Sequence, residues 1–255
     1  MQLSNKEKIP AVWGRLSLWV IKHQPIARLI SLTFGLVLFI VLLPAYMRSV
    51  FWNGLQTHKF LASMLLVFCF LAISLVWSAG QQVDVWAFLF FNLRGKRPVW
   101  LDGGMSGFTQ IGSVYGALGV ALILFLIGFR MLSYELILGS FLLWLVVELM
   151  KFLVHRSRPF IRLAQARIVG GRAIGQSFPS GHTSQVFFMA TLIAQHFQFN
   201  LWVVVLFYAI ALLVGITRMY VGAHYPRDVL AGAILGSVWG LLGMIIEGNF
   251  LNVVG

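Results

Sequence analysis

The sequence predicts an all-α integral membrane protein with about seven transmembrane helices. Three observations carry this expectation. Of the 255 residues, 60% are hydrophobic and 10% charged, a balance that suits neither a water-soluble globule nor a disordered chain. Charge-free apolar runs recur along the chain, and roughly 20 apolar residues cross about 30 Å of hydrocarbon as a helix. Cys69 is the only cysteine, so an intrachain disulfide scaffold is excluded.

Residues 1–28 do not read as a cleavable signal peptide, because Lys22 and His23 break the apolar run and no small-residue cleavage site follows. Ile9, Val12, Trp13, Leu16, Trp19 and Val20 recur at helical spacing beside Lys6, Lys8, Arg15 and Lys22. This suits a surface helix on lipid headgroups or a frayed basic tail. Spans are then expected at about 29–47, 60–79, 111–129, 136–150, 183–197, 201–217 and 229–246. Pro44 interrupts the end of the first, which is therefore either a span or a re-entrant segment.

Asp84 to Leu101 mixes Trp86, Phe88, Phe90, Phe91 and Trp100 with Arg94, Lys96 and Arg97, the composition of an interfacial stretch lying flat at headgroup depth. Gly232, Gly236 and Gly240 fall four apart in the last span, as Gly112 and Gly116 do in the third. Such a stripe permits close helix approach, within one chain or between two.

Lys and Arg number 19 against 7 Asp and Glu, a net charge of +12. Nucleic acid is not the expected partner, because no basic face with interleaved aromatics remains once the spans are removed; anionic lipid or phosphate is. Lys151, Arg158 and Pro159 follow the fourth span, and Pro179-Ser180-Gly181-His182 opens the fifth. Arg218 ends the sixth, while His224 and Asp228 bracket the start of the seventh. Alternating spans bring all of these to one membrane face.

Three long cations, two histidines, a carboxylate and a helix N-terminus with unpaired N–H groups make an oxyanion cradle. Phosphate hydrolysis with metal ions needs several carboxylates, and Asp228 is the single acid in these motifs, so cations are expected to replace the metal, with no cofactor. His224 and Asp228 are four positions apart, and Pro226 favours a helix start, so the carboxylate can orient the imidazole as a nucleophile. His182, at a helix start, is the expected general acid. Ser180 suits a hydrogen bond to a phosphoryl oxygen, with a nucleophilic role as the alternative.

These motifs resemble those of the type 2 phosphatidic acid phosphatase superfamily, also called lipid phosphate phosphatases. The pattern Lys, six residues, Arg-Pro matches Lys151 to Pro159, and Pro-Ser-Gly-His matches Pro179 to His182. Ser-Arg, five residues, His, three residues, Asp matches Thr217-Arg218, His224 and Asp228, with Thr217 in place of the usual Ser. The resemblance implies a six-helix phosphatase core over 56–255, with 1–55 an added basic segment and extra span. It also implies metal-independent hydrolysis of a lipid-linked phosphate through a phosphohistidine on His224 oriented by Asp228. His182 would be the acid, and Lys151, Arg158, Ser180, Gly181 and Arg218 the phosphate ligands. Substrates of the phosphatidic acid, phosphatidylglycerol phosphate or undecaprenyl diphosphate class follow from it.

A rival of another class is a transporter or receptor in which Lys151, Arg158 and Arg218 only hold an anion. Glu148 is expected to be a local partner of Lys151. His23, His58, His155 and His196 are read as interfacial, and Arg162, Arg167 and Arg172 as a mobile loop over the site or lipid-binding charges. Arg48, Lys59 and Arg130 fall on one side of the membrane and the other basic residues on the catalytic side, which the positive-inside rule reads as a cytoplasmic site. Relatives in bacterial plasma membranes mostly face outward, and an outer-face site is the expectation carried by the resemblance.

Overall fold

The computed structural model describes residues 41–42, 44–75, 78–93 and 97–254, and its regular structure there is helical throughout. Contacts divide the chain into two units, Met1–Phe51 and Trp52–Gly255. The N-terminal surface segment and most of the expected 29–47 span lie outside the described residues. Helix α1 (Ala45–Thr57) is followed by α2 (Lys59–Ser74), α3 (Ser78–Leu93), α4 (Val99–Phe108), α5 (Val114–Leu126) and α6 (Arg130–Val154). The short α7 (Pro159–Arg162), then α8 (Gly181–His196), α9 (Leu201–Tyr220) and α10 (Pro226–Val254) complete the second unit.

By length and composition α6 and α9 each suffice to cross a membrane among the described residues, while α4 and α5 pass only as one span bent by 60°. The run expected at 111–129 therefore holds α5 together with the bend at its start. Thr109–Gly112 forms a 3₁₀ turn, and Ser113 then caps α5 by accepting from Gly116 N at 3.2 Å, so a new helix starts in a new direction. Helix α6 extends past both ends of its expected 136–150 run and stops where His155 takes a left-handed conformation (φ 51°).

One face of α6 (Leu132, Leu136, Leu143, Val147) is buried against Ala117 and Ala121 of α5 and Val186 and Met189 of α8. Its opposite face leaves Leu138, Phe141, Leu145 and Leu149 exposed, as a lipid-facing surface requires. The Asp84–Leu101 stretch is helical over its first part, where Asp84, Phe88 and Asn92 recur every four residues as a buried stripe while Trp86 and Phe90 stay outside. Two of the three inward positions are polar, because they hold the loops beneath the site.

The glycine stripe of α10 packs within the chain. A Cβ on Gly232 would stand 2.6 Å from the Ser180 carbonyl oxygen, and one on Gly240 2.6 Å from Thr191 Cβ. At Gly236 it would collide with the Ser184 carbonyl. Because hydrocarbon offers no hydrophobic drive between helices, such backbone proximity is what binds α10 to α8. Gly236→Val is expected to cost about 1–3 kcal/mol by overpacking and to lower the melting temperature in detergent. Gly119→Ala, where nothing lies within 4 Å of the new Cβ, should not lower it.

Candidate active site

The close packing of α8 on α10 sets the loop 221–225 beside the N-terminus of α8, where Ser180 N donates to Asp228 O at 3.0 Å. His224 is buried in this loop. Its Nδ1 lies 2.7 Å from the Ser177 carbonyl oxygen, which can only accept, so Nδ1 carries the proton and Nε2 presents its lone pair. Arg158 Nη1 donates to that Nε2 at 3.2 Å and to the Ala223 carbonyl at 3.1 Å. The remaining Arg158 donors tie down the chain ahead of the motif, Nε to Gly175 O at 2.9 Å and Nη2 to Ile174 O at 2.8 Å.

Burial, with the charges of Arg158 and Arg218 against the opposing pull of Asp228, lowers the His224 pKa to about 4. The imidazole is therefore neutral at neutral pH, the state in which it can attack. His182, in the first turn of α8, lines the same cavity as Lys151. Arg218 is buried, with Nη1 donating to Thr109 Oγ1 at 2.9 Å and Nε left without a partner. Lys151 pairs with Glu148 at 2.7 Å, the partnership expected from their spacing.

Ser180 is fully buried at the N-cap of α8. Its Oγ accepts from Thr183 Oγ1 at 2.9 Å, and its own O–H remains as a donor beside the Gly181 and His182 amides. Gly181 and His182 face a cavity of about 620 Å³ whose walls are largely apolar, with Ile137, Phe141 and Trp144 at its sides and Lys151 at its polar end. This is the shape a lipid with an anionic head demands.

Asp228 lies within reach of His224, as its spacing suggests, but makes its hydrogen bonds elsewhere. Its Oδ2 is 3.8 Å from His224 Nδ1, beyond hydrogen-bond length, and accepts instead from Tyr225 N at 2.9 Å. Its Oδ1 takes Arg156 Nη1 at 2.5 Å. Arg156 also binds Asp84 and donates to Gln81 Oε1 at 3.0 Å, with its guanidinium 4.3 Å from the centre of the Tyr225 ring. Arg227 reaches the same Asp84 carboxylate at 2.7 Å through Nε and the Ser74 carbonyl at 2.7 Å through Nη1.

Sequence reasoning missed this buried network and the carbonyl of Ser177. Asp84 carried the one available signal, an acid inside an aromatic helix in a chain with few acids. The loop over the site is pinned. Asn92 Nδ2 donates to Arg167 O at 2.9 Å and Tyr220 O at 2.8 Å, and Arg167 Nη1 pairs with Asp102 at 2.6 Å. His155 closes α6, and His196 packs edge-on against Phe129 and Phe197.

A helical membrane protein that sets Lys151, His182 and the N-terminus of α8 on an apolar cavity, with Arg158 bonded to His224 close by, falls in the class of membrane phosphatases. The chain belongs to the PAP2 superfamily, whose family model matches residues 131–251. It is 30% identical to phosphatidylglycerophosphatase B of Bacillus subtilis, covering 73% of this chain and 92% of that one. To the undecaprenyl-diphosphatase of Sulfolobus acidocaldarius it is 28% identical, over 72% of this chain and 89% of the other. Its fold is similar to the crystal structure of a transmembrane PAP2-type phosphatidylglycerolphosphate phosphatase from Bacillus subtilis, with a TM-score of 0.65 at 26% identity, over 74% of this chain and 96% of that one.

Removing one partner of a buried ion pair leaves an uncompensated charge at a cost of about 3–5 kcal/mol. Arg156→Met, which strands both Asp228 and Asp84, should therefore lower thermal stability in detergent far more than Arg172→Met at an exposed position, as a paired melting experiment would read.

Proposed function

We propose that this chain is an integral membrane hydrolase that removes phosphate from a lipid-linked phosphate or diphosphate, of the phosphatidic acid, phosphatidylglycerol phosphate or undecaprenyl diphosphate class. The observation that carries the proposal is the His224 ring, its Nδ1 proton held by the Ser177 carbonyl and its Nε2 lone pair facing Arg158. Nε2 attacks phosphorus, and the bond from phosphorus to the lipid oxygen breaks. His182 gives that oxygen its proton, and water then cleaves the phosphohistidine.

Lys151, Arg158 and Arg218, with Ser180 and the amides at Gly181, hold the phosphoryl oxygens in place of metal ions. Asp228 acts on His224 across 3.8 Å through its charge, and it braces the loop through Tyr225 N. Residues 56–255 form the six-helix catalytic core in this reading, and 1–55 adds a basic segment and a seventh span. Similarity to phosphatases that act on two different lipid phosphates supports the substrate class.

Purified protein in detergent with chelator present should release phosphate from at least one member of a panel of these lipids, and His224→Ala should abolish turnover while the protein still binds phosphate. A fully active His224→Ala variant would leave only the anion-binding transporter or receptor. The site is proposed to face outward from a bacterial plasma membrane. In a Cys69→Ser background, Gln165→Cys should react with an impermeant maleimide in intact cells; reaction only after lysis would put the site on the cytoplasmic face.

A further inference from the structure

The cavity of about 620 Å³ carries polar groups at two depths. Lys151, Glu148 and His182 stand at its head end, where the phosphate is proposed to sit. Deeper, among Ala117, Leu118, Ile137, Phe141 and Leu143, the wall holds Gln185 of α8 and Ser140 of α6. Gln185 follows His182 by three positions, so the two share a face of α8, with Gln185 about 4.5 Å farther from the helix start.

Gln185 Nε2 donates to Ser140 Oγ at 2.8 Å, the one side-chain hydrogen bond that either residue makes among the described residues. An amide nitrogen has two N–H groups and a hydroxyl one O–H, so the second N–H of Gln185 and the hydroxyl hydrogen of Ser140 remain as donors at the cavity wall. Ser113, also on that wall, differs: its hydroxyl donates to Gln110 O at 2.7 Å and accepts from Gly116 N at 3.2 Å, so its bonds close the cap of α5. Holding α6 to α8 accounts for the bond between Gln185 and Ser140 but not for its place. Donors left over on an apolar wall are costly until something accepts from them.

We propose that Gln185, held by Ser140, is a specificity-determining residue that donates to an acyl carbonyl of the substrate, so that the lipid is an acylated glycerol phosphate rather than a polyprenyl diphosphate. The proposal deepens the phosphatase reading above and rests on it. A glycerolipid has ester carbonyls within a few bonds of its phosphate, and these groups only accept. With the phosphate at the start of α8, they come level with the next turn of that helix, which carries Gln185. A polyprenyl diphosphate has hydrocarbon there, and the same donors stay unpaired. A site built around a hydrogen bond penalises the analogue that lacks its partner.

Diacyl phosphatidic acid and its dialkyl ether analogue of equal chain length differ only in those carbonyls. The readout is kcat/KM for phosphate release from the diacyl lipid divided by that from the ether, in mixed micelles with chelator, so that an inactive fraction of protein cancels from the ratio. The wild-type ratio should be about five-fold, the size of one net hydrogen bond. Gln185→Met keeps the side-chain length and removes the donors. Ser140→Ala, the milder change for folding, removes the group that fixes the amide.

Each variant should bring the ratio toward one, and a fall in either supports the role; a bond that only joined α6 to α8 would lower both rates together and leave the ratio where it was. A wild-type ratio near one, a ratio unchanged in both variants, or phosphate release from undecaprenyl diphosphate but not from the diacyl lipid overturns the specificity role and leaves the phosphatase reading intact. A wild-type protein that cleaves none of the panel lipids overturns the phosphatase reading itself.

Discussion

The site exists because α10 lies against α8 with no side chain between their backbones. Gly232 and Gly236 face the carbonyls of Ser180 and Ser184, and this contact brings the loop carrying His224 to the helix end carrying Ser180, Gly181 and His182. The hydrogen bond from Ser180 N to Asp228 O joins the two at the point of closest approach. Any residue with a Cβ along the stripe separates His224, the proposed nucleophile, from the amides proposed to receive the phosphoryl oxygens. Packing and chemistry are therefore set by the same small residues, a common economy where hydrophobic drive between helices is missing.

A site for an oxyanion concentrates positive charge, and in a low-dielectric bundle that charge needs compensation near but not in the site. Two carboxylates supply it. Asp84 and Asp228 bind Arg156, and Asp84 also binds Arg227, which leaves Arg158 and Arg218 without acidic partners at hydrogen-bond distance. Arg158 spends its Nε and Nη2 on the carbonyls of Gly175 and Ile174, which fixes the guanidinium in place. The division of labour follows: arginines paired with acids hold the loops, and arginines paired only with neutral groups keep their charge for an incoming anion.

Much of this was legible in the chain. Composition and the spacing of apolar runs pointed to a helical membrane protein, and the motifs at the span ends named the residues the structure brings together. The bend at Ser113 was not legible, because hydropathy reads through a 3₁₀ turn made of Thr109, Gln110, Ile111 and Gly112 as if it were helix. Nor was the partner of Asp228, since Arg156 meets it across 72 positions and local spacing carries no trace of that contact. The spacing of His224 and Asp228 does put them in reach at 3.8 Å, but a main-chain carbonyl, which every residue possesses and no motif records, takes the Nδ1 proton.

That carbonyl alters how the proposed nucleophile is held. A carboxylate hydrogen-bonded to Nδ1 stabilises imidazolium strongly, whereas a neutral carbonyl fixes the tautomer and orientation while favouring the cation less. With Asp228 already neutralised by Arg156, the ring at 224 stays uncharged, and Nε2 keeps its lone pair in a strongly positive surrounding. The imidazolium side of the balance grows only when negative phosphoryl oxygens enter among Arg158, Arg218 and the amides at Gly181. In the proposed mechanism the anion that is to be attacked thus also makes the positive charge formed on the ring less costly, which ties activation of His224 to occupancy of the site.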